Sequence, residues 1–216
     1  MPKLNADSAR QGTDALSDRA LHILAAAERC FVRHGFHRST MGDVATEAGM
    51  SPGNIYRYFS SKDALVAGLI AQDRTRISGE LADILSSDNF MDNLIGLGSK
   101  YFIEEDRDRL ILTIEIWAEA TRNPEVARLL ESCEQETRNQ FIAFFEKAKA
   151  CGHLPARVDS ARLERLVSIF ASGLIVRRAV IPDFEPEVEL GMMVDAFHGI
   201  LKEAECGVIA QQEFQA

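Results

Sequence analysis

The chain has 216 residues, 46% of them hydrophobic and 26% charged, with a formal net charge of −9. That composition suits a globular protein large enough to bury a sizeable core, and it excludes a disordered or fibrous chain. No apolar run approaches the roughly 18 residues of a membrane span, and the polar N-terminus lacks the form of a signal peptide, so a cytoplasmic protein without membrane partners is expected.

Residues 1–16 mix both charge signs without a periodic apolar stripe. They read as a flexible arm, in which Lys3 and Arg10 are more simply solvated than inserted in a groove. Ser17 or Asp18 starts a helix running to about His34, with Leu21, Leu24, Ala27 and Phe31 along one face. Gly35 ends it, and Phe36 is expected to turn back into a small core.

The stretch Ser39–Leu65 organises the rest. Thr40 is a plausible N-cap, and Val44, Ala45 and Ala48 recur at buried helical spacing. Gly49 supplies a left-handed helix end. Ser51 caps a second short helix with Pro52 in its first turn, where the missing N–H costs nothing. Two short helices joined by such a turn make a helix-turn-helix, whose second helix enters a DNA major groove. At 100° per residue Ile55 and Phe59 share the inner face. Gly53 and Arg57 fall opposite, flanked by Asn54 and Tyr56. Arg57 suits guanine, Asn54 adenine and Tyr56 a phosphate, and Gly53 lets backbone approach a ligand closely. Taken singly, each of these side chains would pass as a solvated surface residue.

Over about residues 20–66 the chain resembles the DNA-binding domain of the TetR family of bacterial transcriptional regulators. Ile23, Leu24, Ala26, Ala27, Phe31, Gly35 and Phe36 match its first helix and turn. Thr40, Val44-Ala45, Ala48-Gly49, Ser51, Gly53, Ile55-Tyr56, Phe59, Lys62 and Leu65 match the remainder in order and spacing. The resemblance implies an all-α chain of about nine helices. A three-helix DNA-binding domain over 17–62 would precede a larger ligand-binding and dimerisation domain over 63–206, with a tail at 207–216. It implies double-stranded operator DNA, a small-molecule effector and a second copy of the chain as partners. It also marks Thr40, Ser51, Pro52, Gly53, Asn54, Tyr56, Arg57 and Lys62 as the DNA-facing set.

Ser60 or Ser61 starts a fourth helix that belongs to both domains. Lys62 stands at its N-terminus, where free N–H groups already favour a phosphate. Leu65, Leu69, Ile77, Leu81 and Ile84 carry the helix to about Leu85, as a natural transmission rod. Charge divides along the same line. Residues 1–75 hold nine basic against eight acidic side chains, and the remainder fifteen against twenty-five, so the acidity is kept off the DNA-facing part.

From Phe90 onward every segment reads as helix: about 90–105, 107–121, 124–150, 160–180 and 186–205, broken at Asn123-Pro124, Cys151-Gly152 and Ile181-Pro182. The segment 107–121 is apolar nearly all round, which predicts burial in the middle of its domain. Glu115 and Glu119 interrupt it at i, i+4. Either they line a ligand pocket with Trp117, or they form an exposed, arginine-paired strip, the commoner fate of glutamate. Tyr101, Phe102 and Phe170 are further candidate pocket walls. Leu163, Leu166, Phe170 and Leu174, with Met192, Met193 and Phe197, make two apolar faces that suit a four-helix bundle between two copies, as the resemblance also implies.

Cys30, Cys133, Cys151 and Cys206 are widely spaced with no C-x-x-C pair, a cytosolic setting favours reduced thiols over disulfides or zinc, and the five histidines show no metal-type pairing. No nucleophile–base pair or phosphate-cradling glycine loop appears, so neither an enzyme nor a cofactor is expected. The functional expectation is a regulator, most simply a repressor released from a palindromic operator by a small apolar, possibly cationic effector. A ligand-activated DNA binder is the alternative. A helical interaction protein that has lost DNA binding stands behind both.

Overall fold

The structure is a computed structural model that describes residues 17–85 and 90–206. The N-terminal arm with Lys3 and Arg10, the tail at 207–216, and the side chains of Leu81 and Ile84 lie outside the described residues. The described residues form helices and no strand. The chain divides into two compact units between Leu65 and Val66, inside the fourth helix.

In the first unit, α1 (Asp18–His34) opens with the Ser17 hydroxyl accepting from the Ala20 N–H at 3.3 Å. Its buried stripe runs through Ile23, Leu24, Ala27 and Phe31, whereas Leu21 is exposed, correcting its expected place on the inner face. Ile23 fills that place, because residues 23, 27 and 31 stack at i, i+4. Gly35 leaves the helix at φ 76°, and Phe36 turns inward to meet Phe31 edge-on, 5.4 Å between ring centres. α2 (Met41–Glu47) carries a complete capping box. The Thr40 hydroxyl accepts from the Asp43 N–H, while the Asp43 carboxylate accepts from the Thr40 N–H. Gly49 takes φ 63°, a conformation that penalises any Cβ, and the chain turns into α3 (Pro52–Tyr56).

The second unit holds most of α4 (Lys62–Leu85), then α5 (Phe90–Ser99), a π-helical turn (Lys100–Glu104), α6 (Arg107–Ala120), α7 (Pro124–Ala150), α8 (Ser160–Val180) and α9 (Pro186–Cys206). The segment expected as one helix over 90–105 therefore changes pitch at Lys100. One core gathers Phe90, Phe144, Phe145, Leu163 and Phe197, with Phe90 stacked 5.0 Å from Phe144. A second gathers Phe102, Leu174, Leu190 and Met193. Gly98 lets α5 approach α9 closely: a Cβ there would lie 2.6 Å from Leu190 Cδ1, and the Leu190 side chain would have to shift.

α6 departs from expectation. Leu110, Leu112 and Glu119 are buried, but Ile111, Ile114, Ile116 and Trp117 are only half-buried. The helix packs against α7 and α8, which cover two sides of it, so an apolar circumference does not become full burial within one chain.

Candidate nucleic-acid interface and effector domain

α3 is short, and two burials hold it. Ile55 is fully buried and Phe59 nearly so, while the N–H groups of Tyr58 and Phe59 both donate to the Ile55 carbonyl at 2.9 Å. With that side fixed inward, Ser51, Pro52, Gly53, Asn54, Tyr56 and Arg57 all face solvent, as does Thr40 at the start of α2. A Cβ at Gly53 would meet nothing within the chain, so nothing inside the protein demands glycine there. Ser51 occupies the N-cap with extended backbone but makes no side-chain cap bond, contrary to its expected capping role. Pro52 has already removed one of the N–H groups that would need a cap.

Two details escape a reading by periodicity. The Arg57 guanidinium lies 5.5 Å from the centre of the Tyr58 ring, within cation–π range, so Tyr58 belongs with the exposed set. Adjacent aromatic and cationic residues at a helix end were the available signal. Meanwhile Arg29 and Arg33 on α1 are both taken by Glu47, at 2.5 and 2.9 Å. These bonds pin α2 to α1 and hold the Glu47 carboxyl below its usual range, the Arg29 hydrogen bond contributing most.

Lys62 is half-buried rather than free at the helix end. Its ammonium donates to the carbonyls of Phe36 at 2.6 Å and Ser39 at 3.1 Å, fastening the start of α4 to the loop after α1. An ammonium has three N–H donors, and these two bonds use two of them.

The expected effector-site residues differ in burial and in partners. Phe102 is buried among Leu174, Leu190 and Met193, with Tyr101 beside that group. The Tyr101 hydroxyl donates to Glu80 at 2.8 Å, and burial together with that carboxylate pushes its pKa well up. Glu119 is buried and receives Arg122 at 3.0 Å, while Glu115 and Trp117 are half-buried. Phe170 is exposed on α8.

The expected dimer set also divides. Leu163, Leu174, Met193 and Phe197 are buried inside their own chain and offer nothing to a second copy. On α9 the reason is rotational, Met193 lying about 100° round the helix from Met192, whereas on α8 Leu163, Phe170 and Leu174 share one face within about 40° and differ in how far their neighbours cover them. Phe170 and Met192 are exposed, Leu166 is half-buried, and Ile169, Val176, Val180 and Val188 join them as exposed apolar side chains on α8 and α9.

Two family descriptions match the sequence: the tetR family of bacterial regulatory proteins over residues 23–69, and the C-terminal part of BetI-type transcriptional repressors over residues 100–202. The chain belongs to the TetR family. Within it the chain is similar to the HTH-type transcriptional regulator UidR of Escherichia coli, 29% identical over 154 residues, which cover 71% of this chain and 78% of that one. Salmonella enterica GusR has the same fold at a TM-score of 0.74 and 29% identity, covering 85% of this chain and 95% of its own. A transcriptional regulator from Saccharomonospora viridis, solved in complex with choline, shares the fold at a TM-score of 0.74 and 19% identity, covering 85% and 97%. This TetR-family chain is thus a helix-turn-helix DNA-binding transcriptional regulator and not an enzyme. Among the described residues no helix is long and apolar enough to cross a membrane.

Proposed function

We propose that this TetR-family chain is a cytoplasmic homodimeric repressor that leaves a palindromic operator when a small, largely apolar effector binds its second unit. The observation that carries the DNA half is the exposed face of α3, where Gly53, Asn54, Tyr56 and Arg57 stand clear while Ile55 and Phe59 are buried behind them. Arg57 and Asn54 read base edges; Thr40, Tyr56 and the third N–H of Lys62 take phosphates. Ser51 and Pro52 bring the backbone of the turn near the DNA.

Dimerisation is supported by the apolar residues left open on α8 and α9, which two copies can bury against each other about a twofold axis. Two α3 helices about 34–36 Å apart then meet successive major grooves. Effector binding shifts the dimer toward a spacing that no longer fits, a coupling typically of about 5–150-fold in affinity. A cationic effector is the first class to try, because a protein of the same fold holds choline and the residues after Thr75 carry a large acidic excess. Glu115, half-buried on the same helix as Trp117, is the carboxylate to pair with it.

The test is oligonucleotide selection with the full-length protein, followed by titration of the selected duplex. A two-half-site palindrome with about 10 base pairs between centres is expected. Random enrichment would sink the regulator reading for this chain's α3 face. Addition of choline or another quaternary ammonium compound should then lower operator affinity, and a rise instead would establish the ligand-activated alternative.

A further inference from the structure

Between α5 and α6 the backbone is wound one residue wide. Lys100–Glu104 is π-helical, closed by the Glu105 N–H donating to the Lys100 carbonyl at 3.0 Å, five residues back rather than four. Single π turns are poor in geometry and survive where neighbours hold them, often at functional sites.

Here the hold comes from two helices. On α8, Arg178 Nη2 donates to the carbonyls of Ile103 at 2.9 Å and Glu105 at 2.5 Å, and Arg107 Nη2 at the start of α6 donates back to the Ala179 carbonyl at 2.6 Å. On α4, the Glu80 carboxylate accepts from the Tyr101 hydroxyl at 2.8 Å and lies 3.2 Å from Lys100 Nζ. Arg76, also on α4, pairs with Glu105 at 2.8 Å. Within five residues the turn is therefore bonded to both α4 and α8.

Among the described residues, the buried Arg178 Nη1 has no hydrogen-bond partner. A buried donor left unmade is costly, so the arrangement carries a penalty that a different course of the turn, placing a carbonyl at Nη1, would remove.

We propose that Lys100–Glu104 is a two-state latch, held π-helical by Arg178 from α8 and by Glu80 from α4. Releasing either hold lets the turn tighten to α-helix, and the Glu105 N–H passes from the Lys100 carbonyl to that of Tyr101. The chain on one side of the turn is then re-registered against the other by one residue, about 100° of helical rotation. Tyr101 and Glu105 swing with it, so the bonds to α4 and to α8 change together. An element with two discrete arrangements, bonded to two helices at once, is what energetic coupling between those helices needs. Only its regulatory use rests on the effector-released repressor reading; the latch itself does not.

The test is backbone NMR of the full-length protein without DNA, comparing wild type, Tyr101→Phe, Arg178→Gln and the double variant through the Cα chemical shifts and sequential amide contacts of residues 100–106. Tyr101→Phe removes one hydroxyl and keeps the ring, so it reports even where Arg178→Gln folds poorly. Each single change should move these shifts in the same direction, toward α-helical values, and the double change should add little, because an open latch cannot be opened twice. Unchanged shifts at 100–106, opposite movements in the two single variants, or an equal change across every helix would each overturn the proposal. Failure to select an operator would count against the repressor reading and leave these shifts untouched.

Discussion

The Lys62 ammonium donates to the Phe36 carbonyl at 2.6 Å and lies 4.2 Å from the centre of the Phe36 ring. One side chain thus closes the loop after α1 onto the first turn of α4, and the single Ser39 Oγ–H continues the set, shared between the carbonyls of Cys30 and Gly35. Lys62→Met keeps the aliphatic stem and removes the charge. It should lower stability in urea unfolding by about 1–3 kcal/mol, the usual range for lost hydrogen bonds to a charged group. On selected operator DNA the same variant should flatten the slope of log affinity against log salt by about 1, the signature of one lost phosphate contact. An unchanged slope would confine Lys62 to the loop.

Arg57 and Tyr58 make a second pair whose roles separate by measurement. Arg57→Ala should cost about 1–3 kcal/mol on the selected operator and relax preference at one base pair, with a much smaller loss on random DNA. Tyr58→Leu removes the ring beside the guanidinium. It should cost about 0.5–1 kcal/mol on the operator through loss of the cation–π contact. Equal losses on specific and random DNA in both variants would reassign the pair to the phosphate backbone.

Acid should loosen the first unit before general unfolding. Glu47 is held below the ordinary glutamate value of 4.5, chiefly by its hydrogen bond from Arg29, and Asp43 below 3.8, chiefly by the Thr40 side chain. Both folded values are depressed, so both groups contribute stability fully above their ordinary values and lose it as pH falls through the folded ones. Urea midpoints followed by helicity should therefore fall steeply below about pH 4. In Glu47→Gln that acid limb should be shallower, with lower stability at neutral pH.

The two kinds of apolar residue on α8 and α9 should behave oppositely. Val180→Asp and Met192→Asp, at exposed positions, should leave the chain folded and convert it to monomer in sedimentation velocity. Leu174→Ala, at a buried one, should cost about 2–5 kcal/mol of stability whatever the association state. A folded dimer surviving both aspartate changes would move the interface elsewhere.

The helices themselves were legible in the sequence, and so was the face of α3. Both depend on local physics: Thr40 caps α2, Gly35 and Gly49 take positive φ, Pro52 opens α3, and a 3.6-residue period puts Ile55 and Phe59 inside. The family signature lies in the same local pattern: the resemblance over about residues 20–66 falls where the family description matches, at 23–69. The division of α8 and α9 was not legible. Leu174 and Val176 have similar side chains two residues apart, and only the position of Phe102 and Leu190 decides that the first is core and the second surface. Nor could α6 be judged, since an apolar circumference states a demand for cover without saying how much neighbouring helices supply. Lys62 shows the limit most simply: its position at a helix start is sequence, but the two carbonyls that claim it come from residues 26 and 23 positions earlier and meet it only in the folded chain. Periodicity and capping act over a few residues. Which donor finds which acceptor across tens of residues is decided by packing.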